Sequence, residues 1–188
     1  MSENCTNRIC PVERAGQFDS KIRRWLQNPE KILAPYIQKG MTVLDFGCGP
    51  GFFTIDMAYM TGESGKVIAS DLQEGMLAKL KEKITGTDID SRIQLHRCHE
   101  DKIGLTEPID FIFAFYVVHE VPDQEKLFSE LKSLLKPGGR IFIVEPPIHV
   151  SRSSFKKSVE IAEQIGFRNV GKPKVFLGQT ILLERNAS

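Results

Sequence analysis

The sequence of 188 residues lacks the features that mark several large classes of protein. No apolar run approaches the roughly 20 residues that a membrane-spanning helix needs, and the polar first residues lack the apolar core of a signal peptide. Lysine and arginine total 25 against 24 aspartates and glutamates, a net charge of +1. This balance provides no excess of positive charge with which to bind a nucleic acid or an anionic membrane. These absences predict a cytoplasmic protein with neither a nucleic-acid nor a membrane partner.

The cysteines also lack the close paired spacing of a zinc site. The chain has four of them, at Cys5, Cys10, Cys48 and Cys98. In the cytoplasm they are expected to be mostly reduced. The sequence therefore predicts no metal site.

Strands and helices alternate along most of the chain. The pattern predicts strands over residues 41–45, 66–70, 92–96, 110–115 and 140–144. It predicts helices over residues 51–60, 74–84, 123–135 and 151–165, and a closing antiparallel hairpin of residues 167–175 and 180–184. The interval between the third and fourth strands is too short and broken for a strong helix. Such alternation is typical of an α/β fold with a mostly parallel sheet covered by helices on both faces.

Two short helices are predicted before the first strand. One runs from a cap at Asp19 or Ser20 to Trp25, and the other starts at Asn28-Pro29, runs towards Ile37 and is closed by Gly40. Residues 1–17 show no clear periodicity and are interpreted as an arm. Residues 1–38 are accordingly predicted to form an arm and lid helices over the active site, and residues 39–188 a single globular domain.

The most informative stretch is Val43-Leu44-Asp45-Phe46-Gly47-Cys48-Gly49-Pro50-Gly51. A short apolar strand ends in an acidic residue and enters a turn with glycine at every second position. Glycine lets the backbone approach a ligand closely, and the free N–H groups of the next helix point back at the turn. Strand, turn and helix predict the first half of a nucleotide-binding βαβ unit.

The spacing of the glycines favours one kind of nucleotide. A dinucleotide loop needs Gly-x-Gly-x-x-Gly, whereas Phe52 stands where the third glycine of that pattern would be. Asp45 would repel a phosphate but suits a ligand with a positive amino group. The turn therefore favours a nucleoside that carries an amino acid, although a nicotinamide-dependent oxidoreductase remains an alternative.

With these motifs the chain resembles the class I S-adenosylmethionine-dependent methyltransferases, and in particular a small, mostly uncharacterised prokaryotic branch of them. The resemblance covers nearly all of residues 39–184 and rests on four ordered segments, residues 43–51, 67–71, 110–121 and 134–144. It implies a Rossmann-like three-layer α/β/α sandwich, with a seven-stranded, mostly parallel sheet and a C-terminal antiparallel hairpin. It also implies S-adenosyl-L-methionine as the cofactor and methyl transfer as the activity.

The resemblance assigns cofactor roles to particular residues. Asp71 ends the second strand and would accept hydrogen bonds from both ribose hydroxyls, the alternative being a cap for the following helix. The adenine site departs from the family, because Cys98 or His99 stands where an acidic or amide residue is common. The predicted cofactor-binding residues are Asp45, Phe46, Gly47, Cys48, Gly49, Gly51, Asp71, Leu72, Met76, Cys98, His99, Glu100 and Phe115.

The acceptor side of the site is less defined by the sequence. Methyl transfer depends mainly on alignment, and a base is needed only if the acceptor must lose a proton. The mouth of the site is expected near Phe115, Tyr116, His119 and Glu145. His119, as a base oriented by Glu120, and Tyr116, as a ring enclosing the sulfonium, are the candidate catalytic residues, although each suits a packing or surface role as well. The expected partner is a small-molecule acceptor, with the protein a monomer or homodimer.

Two further functions remain open from the sequence. The protein could bind S-adenosylmethionine without turnover and act through a partner. Alternatively, Cys10, Cys48 and Cys98 could converge on a soft metalloid such as arsenite and assist its methylation.

Overall fold

The structure, a computed structural model, describes residues 21–186. The predicted arm with Cys5 and Cys10 lies outside the described residues, and so do the candidate cap residues Asp19 and Ser20 of the first helix. This range contains six α-helices and seven strands. The helices are α1 (Lys21–Leu26), α2 (Pro29–Leu33), α3 (Thr54–Thr61), α4 (Glu74–Ile84), α5 (Gln124–Leu134) and α6 (Arg152–Ile165). The strands are β1 (Thr42–Phe46), β2 (Lys66–Asp71), β3 (Ile93–Arg97), β4 (Ile109–Phe115), β5 (Leu135–Glu145), β6 (Phe167–Gly171) and β7 (Gln179–Arg185). Within residues 21–186, none of the helices has the length and apolar character needed to cross a membrane.

All seven strands form one sheet in the order β3-β2-β1-β4-β5-β7-β6. Strands β1 to β5 pair in parallel, and β7 lies antiparallel between β5 and β6. The predicted three-layer α/β/α sandwich with a mostly parallel seven-stranded sheet and a C-terminal hairpin is therefore confirmed. The chain order reverses between β1 and β4, which opens a crevice beyond the carboxyl ends of these strands.

The core lies on both faces of the sheet because successive side chains of a strand point to opposite faces. On one face, Val43 of β1 belongs to a cluster with residues of α2, α3 and α4. On the other face, Leu44 and Phe46 belong to a cluster with residues of α5 and α6. Burial on both faces explains why the central strands read as continuous apolar runs rather than as alternating ones.

Two helix boundaries differ from the prediction for backbone reasons. Helix α2 ends at Leu33, not near Ile37, because Pro35 has no N–H with which to continue the helical ladder. Helix α3 begins at Thr54, not at Gly51, because Gly51 has a φ of +85°, outside the helical region.

Two strand boundaries also differ from the predicted ones. Strand β6 ends at Gly171 instead of reaching Val175, since Pro173 cannot donate to a strand ladder. Strand β5 begins at Leu135 instead of Arg140, and its pairing to β4 is irregular over residues 136–139. The remaining boundaries lie within two residues of the predicted ones.

The connection between β3 and β4 contains no helix within the described chain, in agreement with the short and broken sequence there. Residues 98–108 instead form a loop that runs beside the crevice. This loop contributes residues to the wall of the cavity described next.

Candidate active site

A cavity of about 830 Å³ lies at the carboxyl ends of β1, β2 and β4, within the range typical of small-molecule sites. Its wall is built from the glycine turn after β1, the residues that follow β2 and β4, loop 98–103, and parts of α1 and α5. The predicted site residues that line it are Asp45, Phe46, Gly47, Cys48, Gly49, Asp71, Leu72, Met76, Cys98, His99, Glu100, Phe115 and Tyr116. Among the described residues, Gly51 and His119 are predicted site residues that do not line this cavity.

The three glycines of the turn have different surroundings. A Cβ atom added to Gly49 would meet nothing within 4 Å, although the residue has a φ of +53°. At Gly47 it would lie 2.5 Å from Val117, and at Gly51 it would lie 2.3 Å from Leu80. Gly49 therefore leaves open space on the cavity side, a cradle that suits a closely approaching ligand, whereas Gly47 and Gly51 make room for the protein's own side chains.

Asp71 joins the glycine turn to the loop before α4. One carboxylate oxygen accepts the Gly49 N–H at 2.9 Å, and the other accepts the Gln73 N–H at 2.8 Å. Burial raises the pKa of Asp71, while these hydrogen bonds oppose the rise. Gln73, and not Asp71, is the N-cap residue of α4. A carboxylate offers about four acceptor positions, so the side chain can still accept a ribose hydroxyl beside these backbone hydrogen bonds, and the ribose role stays a prediction.

Asp45 lies beneath the turn with only 2% of its surface exposed. Its carboxylate accepts a 2.6 Å hydrogen bond from the Thr54 hydroxyl at the start of α3. Burial raises the pKa of Asp45 to about 7, with a smaller contribution from Asp71 and opposition from the Thr54 bond. The group is therefore poised to ionise when a cation comes near it, as the amino group of an amino-acid-bearing nucleoside would.

The two described cysteines both line the cavity. Cys48 and Cys98 are free and buried, and burial raises the pKa of both thiols. The N–H of Cys98 donates to the Asp71 carbonyl at 3.2 Å, which fixes loop 98–103 next to β2. Cys10, the third thiol of the metalloid hypothesis, lies outside the described residues, so that hypothesis stays a prediction.

Tyr116, a residue of the cavity wall that follows β4, connects two other segments of the chain. Its hydroxyl donates to the Leu177 carbonyl at 2.6 Å and accepts a 3.2 Å hydrogen bond from the Gln27 amide. Both Tyr116 and Leu177 have positive φ, 61° and 54°, a conformation that is rare for residues other than glycine. Gln27 follows α1 directly and is itself buried. The hydroxyl of Tyr116 is thus engaged in holding the segment after α1 against loop 172–178, while its ring lines the cavity.

His119 lies apart from the cavity. Its Nδ1 is hydrogen-bonded to Glu145, a buried carboxylate that also accepts the Val118 N–H at 3.0 Å. Partial burial disfavours a charge on the imidazole, but the hydrogen bond and charge of Glu145 raise the pKa of His119 above its usual value. The residue that orients His119 is therefore Glu145 and not its neighbour Glu120. Together with His149, His119 borders a separate groove beyond Pro122, so a catalytic role for His119 stays a prediction.

Some residues of the cavity wall carry no sequence signal for a site. The guanidinium carbon of Arg23 lies 4.0 Å from the centroid of the Phe52 ring, and Phe53 packs edge-on against Phe52 with ring centroids 4.8 Å apart. No motif marks Arg23, because a lone arginine in a polar helix is common. Lining residues that were not among the predicted site residues include Arg23, Pro50, Phe52, Phe53, Gln73, Val117, Val121, Lys126 and Leu127.

Comparison with known proteins agrees with this geometry. Residues 37–172 match the family model described as a methyltransferase domain. The crystal structure of a SAM-dependent methyltransferase from Aquifex aeolicus is 30% identical, with a TM-score of 0.81, covering 94% of this chain and 98% of that one. A proposed S-adenosyl-L-methionine-dependent methyltransferase from Methanococcus maripaludis has a TM-score of 0.76 over 100% of this chain and 98% of that one, but its 19% identity shows the fold alone.

A curated relative matches over a shorter stretch. The ubiquinone/menaquinone biosynthesis C-methyltransferase of Escherichia fergusonii is 29% identical over 110 residues, which make up 58% of this chain and 44% of that protein. The match thus spans less than half the length of that relative.

Proposed function

Since this chain belongs to the class I S-adenosylmethionine-dependent methyltransferases, enzymes that use S-adenosyl-L-methionine, we propose that its methyl acceptor is a small molecule. The observation that carries the proposal is the cavity itself, whose volume of about 830 Å³ is typical of small-molecule sites. Next to it, the hydroxyl of Tyr116 joins Gln27, which follows α1, to the carbonyl of Leu177 in loop 172–178. A concave site of this size suits a small acceptor better than a macromolecule, and the near-neutral charge of the chain gives no attraction for nucleic acid.

The residues of the cavity fit S-adenosylmethionine. When bound, this cofactor supplies a methyl group activated by a sulfonium, so aligning the acceptor is the main task left to the protein. In this proposal Asp71 holds the ribose, Asp45 pairs with the amino group, and Gly49 leaves room for the chain between them. The rings of Phe115 and Tyr116, with centroids 4.1 Å apart, form one wall and can exclude water from the reacting atoms.

Exposed apolar side chains on the two segments that Tyr116 joins support a finer proposal about the acceptor. Trp25, Phe176 and Leu177 are 81%, 50% and 52% exposed, and they belong to the two segments that Tyr116 joins. The Escherichia fergusonii relative is named for C-methylation in ubiquinone and menaquinone biosynthesis. We therefore include an apolar ring, methylated at carbon, among the acceptors to be tested first.

Radiolabel transfer tests the proposal. The protein is incubated with methyl-labelled S-adenosylmethionine and a cell extract, and the small-molecule and macromolecular fractions are then separated and counted. We expect label in the small-molecule fraction. Label confined to protein or nucleic acid would contradict the proposed acceptor class, and cofactor binding without any labelled product would favour a non-catalytic protein.

Two variants control the experiment. Asp71→Ala should weaken S-adenosylmethionine binding by about 1.5–3 kcal/mol, the range for hydrogen bonds to a charged group, and transfer should fall with it at limiting cofactor. Glu74→Ala removes a nearby exposed carboxylate that pairs with Arg97 and should leave transfer unchanged. Equal activity of the Asp71 and Glu74 variants would refute the ribose assignment.

A further inference from the structure

Exposed apolar side chains are concentrated in three segments, residues 22–27, 146–152 and 172–178, which we call the apolar edge. The large apolar residues that are exposed in the described chain are Ile22, Trp25, Tyr59, Ile148, Val170, Phe176 and Leu177. All of them except Tyr59 and Val170 belong to the apolar edge. Single apolar residues scattered over a surface are ordinary, whereas clustered ones mark a contact site.

The fold brings the three segments of the apolar edge together. Strand β5 ends at Glu145, which pairs with Gln179 at the start of the antiparallel strand β7. The second segment therefore leaves the sheet at the edge where the third segment enters it. The first segment adjoins the third, because the Gln27 amide donates to the Phe176 carbonyl at 3.4 Å. Since β5 is parallel to β1 and β4, this is also the edge of the sheet at which the cavity lies.

The apolar edge is also basic. Its three segments contain no aspartate or glutamate, and their charged residues are Arg23, Arg24, Arg152, Lys172 and Lys174. Arg24 pairs with Asp56 of α3. Arg152, Lys172 and Lys174 are exposed, and none of these three belongs to an ion pair with another described residue. The net charge of +1, from which no membrane partner was predicted, is therefore unevenly distributed over the molecule.

Apolar and basic groups on one surface are complementary to the interface of an anionic bilayer. Tryptophan is favoured at the level of the lipid headgroups, and lysine and arginine attract anionic lipids. A nucleic acid would pair with the basic residues, but it would leave Ile22, Ile148 and Leu177 without an apolar environment. The combination therefore favours a lipid surface.

We propose that the apolar edge binds the surface of a membrane that contains anionic lipids. The protein lies on the bilayer in this arrangement and does not span it. Arg23 belongs to the first segment and lines the cavity, so an apolar molecule dissolved in the bilayer lies next to the cavity wall. The proposal concerns a surface outside the cavity and does not rest on the proposed function.

Tryptophan fluorescence of the full chain tests the proposal. The chain has one tryptophan, Trp25, so its emission reports directly on the apolar edge. The protein is titrated with vesicles of phosphatidylcholine alone and with vesicles of equal parts phosphatidylcholine and phosphatidylglycerol. We expect a blue shift and quenching by brominated lipid, with an affinity at least tenfold higher for the anionic vesicles that falls at high salt.

Matched variants test which residues bind the vesicles. Lys174→Glu and Phe176→Ser should each weaken binding to the anionic vesicles at least fivefold, because the first reverses a charge and the second removes apolar area. The controls Lys39→Glu and Tyr59→Ser change an exposed lysine before β1 and an exposed aromatic residue in α3. They should leave the affinity within twofold. An unchanged melting temperature shows that each variant is folded.

Several results would overturn the proposal. Wild-type protein that does not bind the anionic vesicles, or that binds them without a change in the Trp25 emission, would do so. Equal effects of the Phe176 and Tyr59 variants would place the lipid contact elsewhere. Binding of a short RNA duplex that depends on Lys174, without vesicle binding, would indicate a nucleic acid as the partner. Sedimentation that shows a stable dimer, dissociated by Phe176→Ser, would indicate a second copy of the chain.

Discussion

At the scale of single residues, Asp45 is a buried carboxyl group whose ionisation should be linked to cofactor binding. Burial raises its pKa to about 7, so the free protein largely holds a proton on Asp45 below that pH. An ammonium group beside it favours the ionised form, so binding must release this proton. Affinity for S-adenosylhomocysteine should therefore fall as the pH is lowered through about 7, by up to roughly tenfold per pH unit.

Calorimetry in buffers of different ionisation enthalpy would measure the proton release directly. Asp45→Asn keeps the size of the side chain and removes the ionisable group. In this variant the release near neutral pH should disappear and the pH profile should flatten. A wild-type profile that coincides with that of Asp45→Asn would show that another group controls the pH dependence.

The glycines of the turn allow a second prediction at this scale. Gly49→Ala should fold with a modest loss of stability from the positive φ, on the order of 1 kcal/mol, because its Cβ meets nothing within 4 Å. The same Cβ enters the space needed by the cofactor and should weaken S-adenosylhomocysteine binding. Gly51→Ala should instead destabilise the fold more strongly, because its Cβ would lie 2.3 Å from Leu80.

Denaturant unfolding and calorimetry on both variants would separate these effects. The expected result is a Gly49 variant that is folded but binds weakly and a Gly51 variant with the larger loss of unfolding free energy. If the Gly49 variant binds as tightly as the wild type, the open side of Gly49 does not face the ligand.

At the scale of elements, α1 and loop 172–178 should open together when the hydroxyl of Tyr116 is removed. Tyr116→Phe loses the hydrogen bonds to Gln27 and Leu177 but keeps the ring. Each bond contributes about 0.5–1.5 kcal/mol, so amide exchange in both segments should rise roughly 2- to 10-fold. Hydrogen-exchange mass spectrometry would detect this, with the exposed Tyr59 changed to Phe as the control.

The outcome would also decide how the two segments are coupled. Faster exchange in α1 alone would mean that loop 172–178 is held by other contacts, such as the packing of Val175 on the core. Unchanged exchange in both would contradict the joint role of Tyr116.

The elements themselves could be predicted from the sequence, whereas several of their ends could not. Helix α4 has the predicted bounds, and α5 and α6 begin one residue later than predicted, because Asp123 and Ser151 are their N-cap residues and accept backbone hydrogen bonds. The errors at α2 and β6 come from proline, which local apolar patterning does not take into account. The error at α3 comes from the positive φ of Gly51, which local apolar patterning does not indicate either.

At the scale of the whole molecule, a ligand in the cavity should stabilise the entire domain. The cavity wall joins α1, β1, β2, β4 and loop 98–103, so unfolding any of these abolishes binding. S-adenosylhomocysteine at 100 times its dissociation constant should add about 2.7 kcal/mol. For a domain of this size the melting temperature should rise by roughly 5–10 °C.

A thermal shift assay with two ligands would check this expectation. Above pH 7, NAD should give no comparable shift, because Phe52 stands where a dinucleotide loop needs glycine and an ionised Asp45 would repel a phosphate. An NAD shift as large as that of S-adenosylhomocysteine would instead favour the oxidoreductase alternative.

The sequence by itself determined the order of the elements, the glycine turn and the placement of Asp45 and Asp71 at the ends of neighbouring strands. These follow from adjacent residues, because strand burial, glycine conformation and helix caps are local preferences. Only the tertiary structure decided that Gly49, of the three glycines in the turn, has open space where a Cβ would stand, that Glu145 orients His119, and that Arg23 lies over Phe52. These contacts join residues far apart in the chain, so they depend on how the helices pack against the sheet.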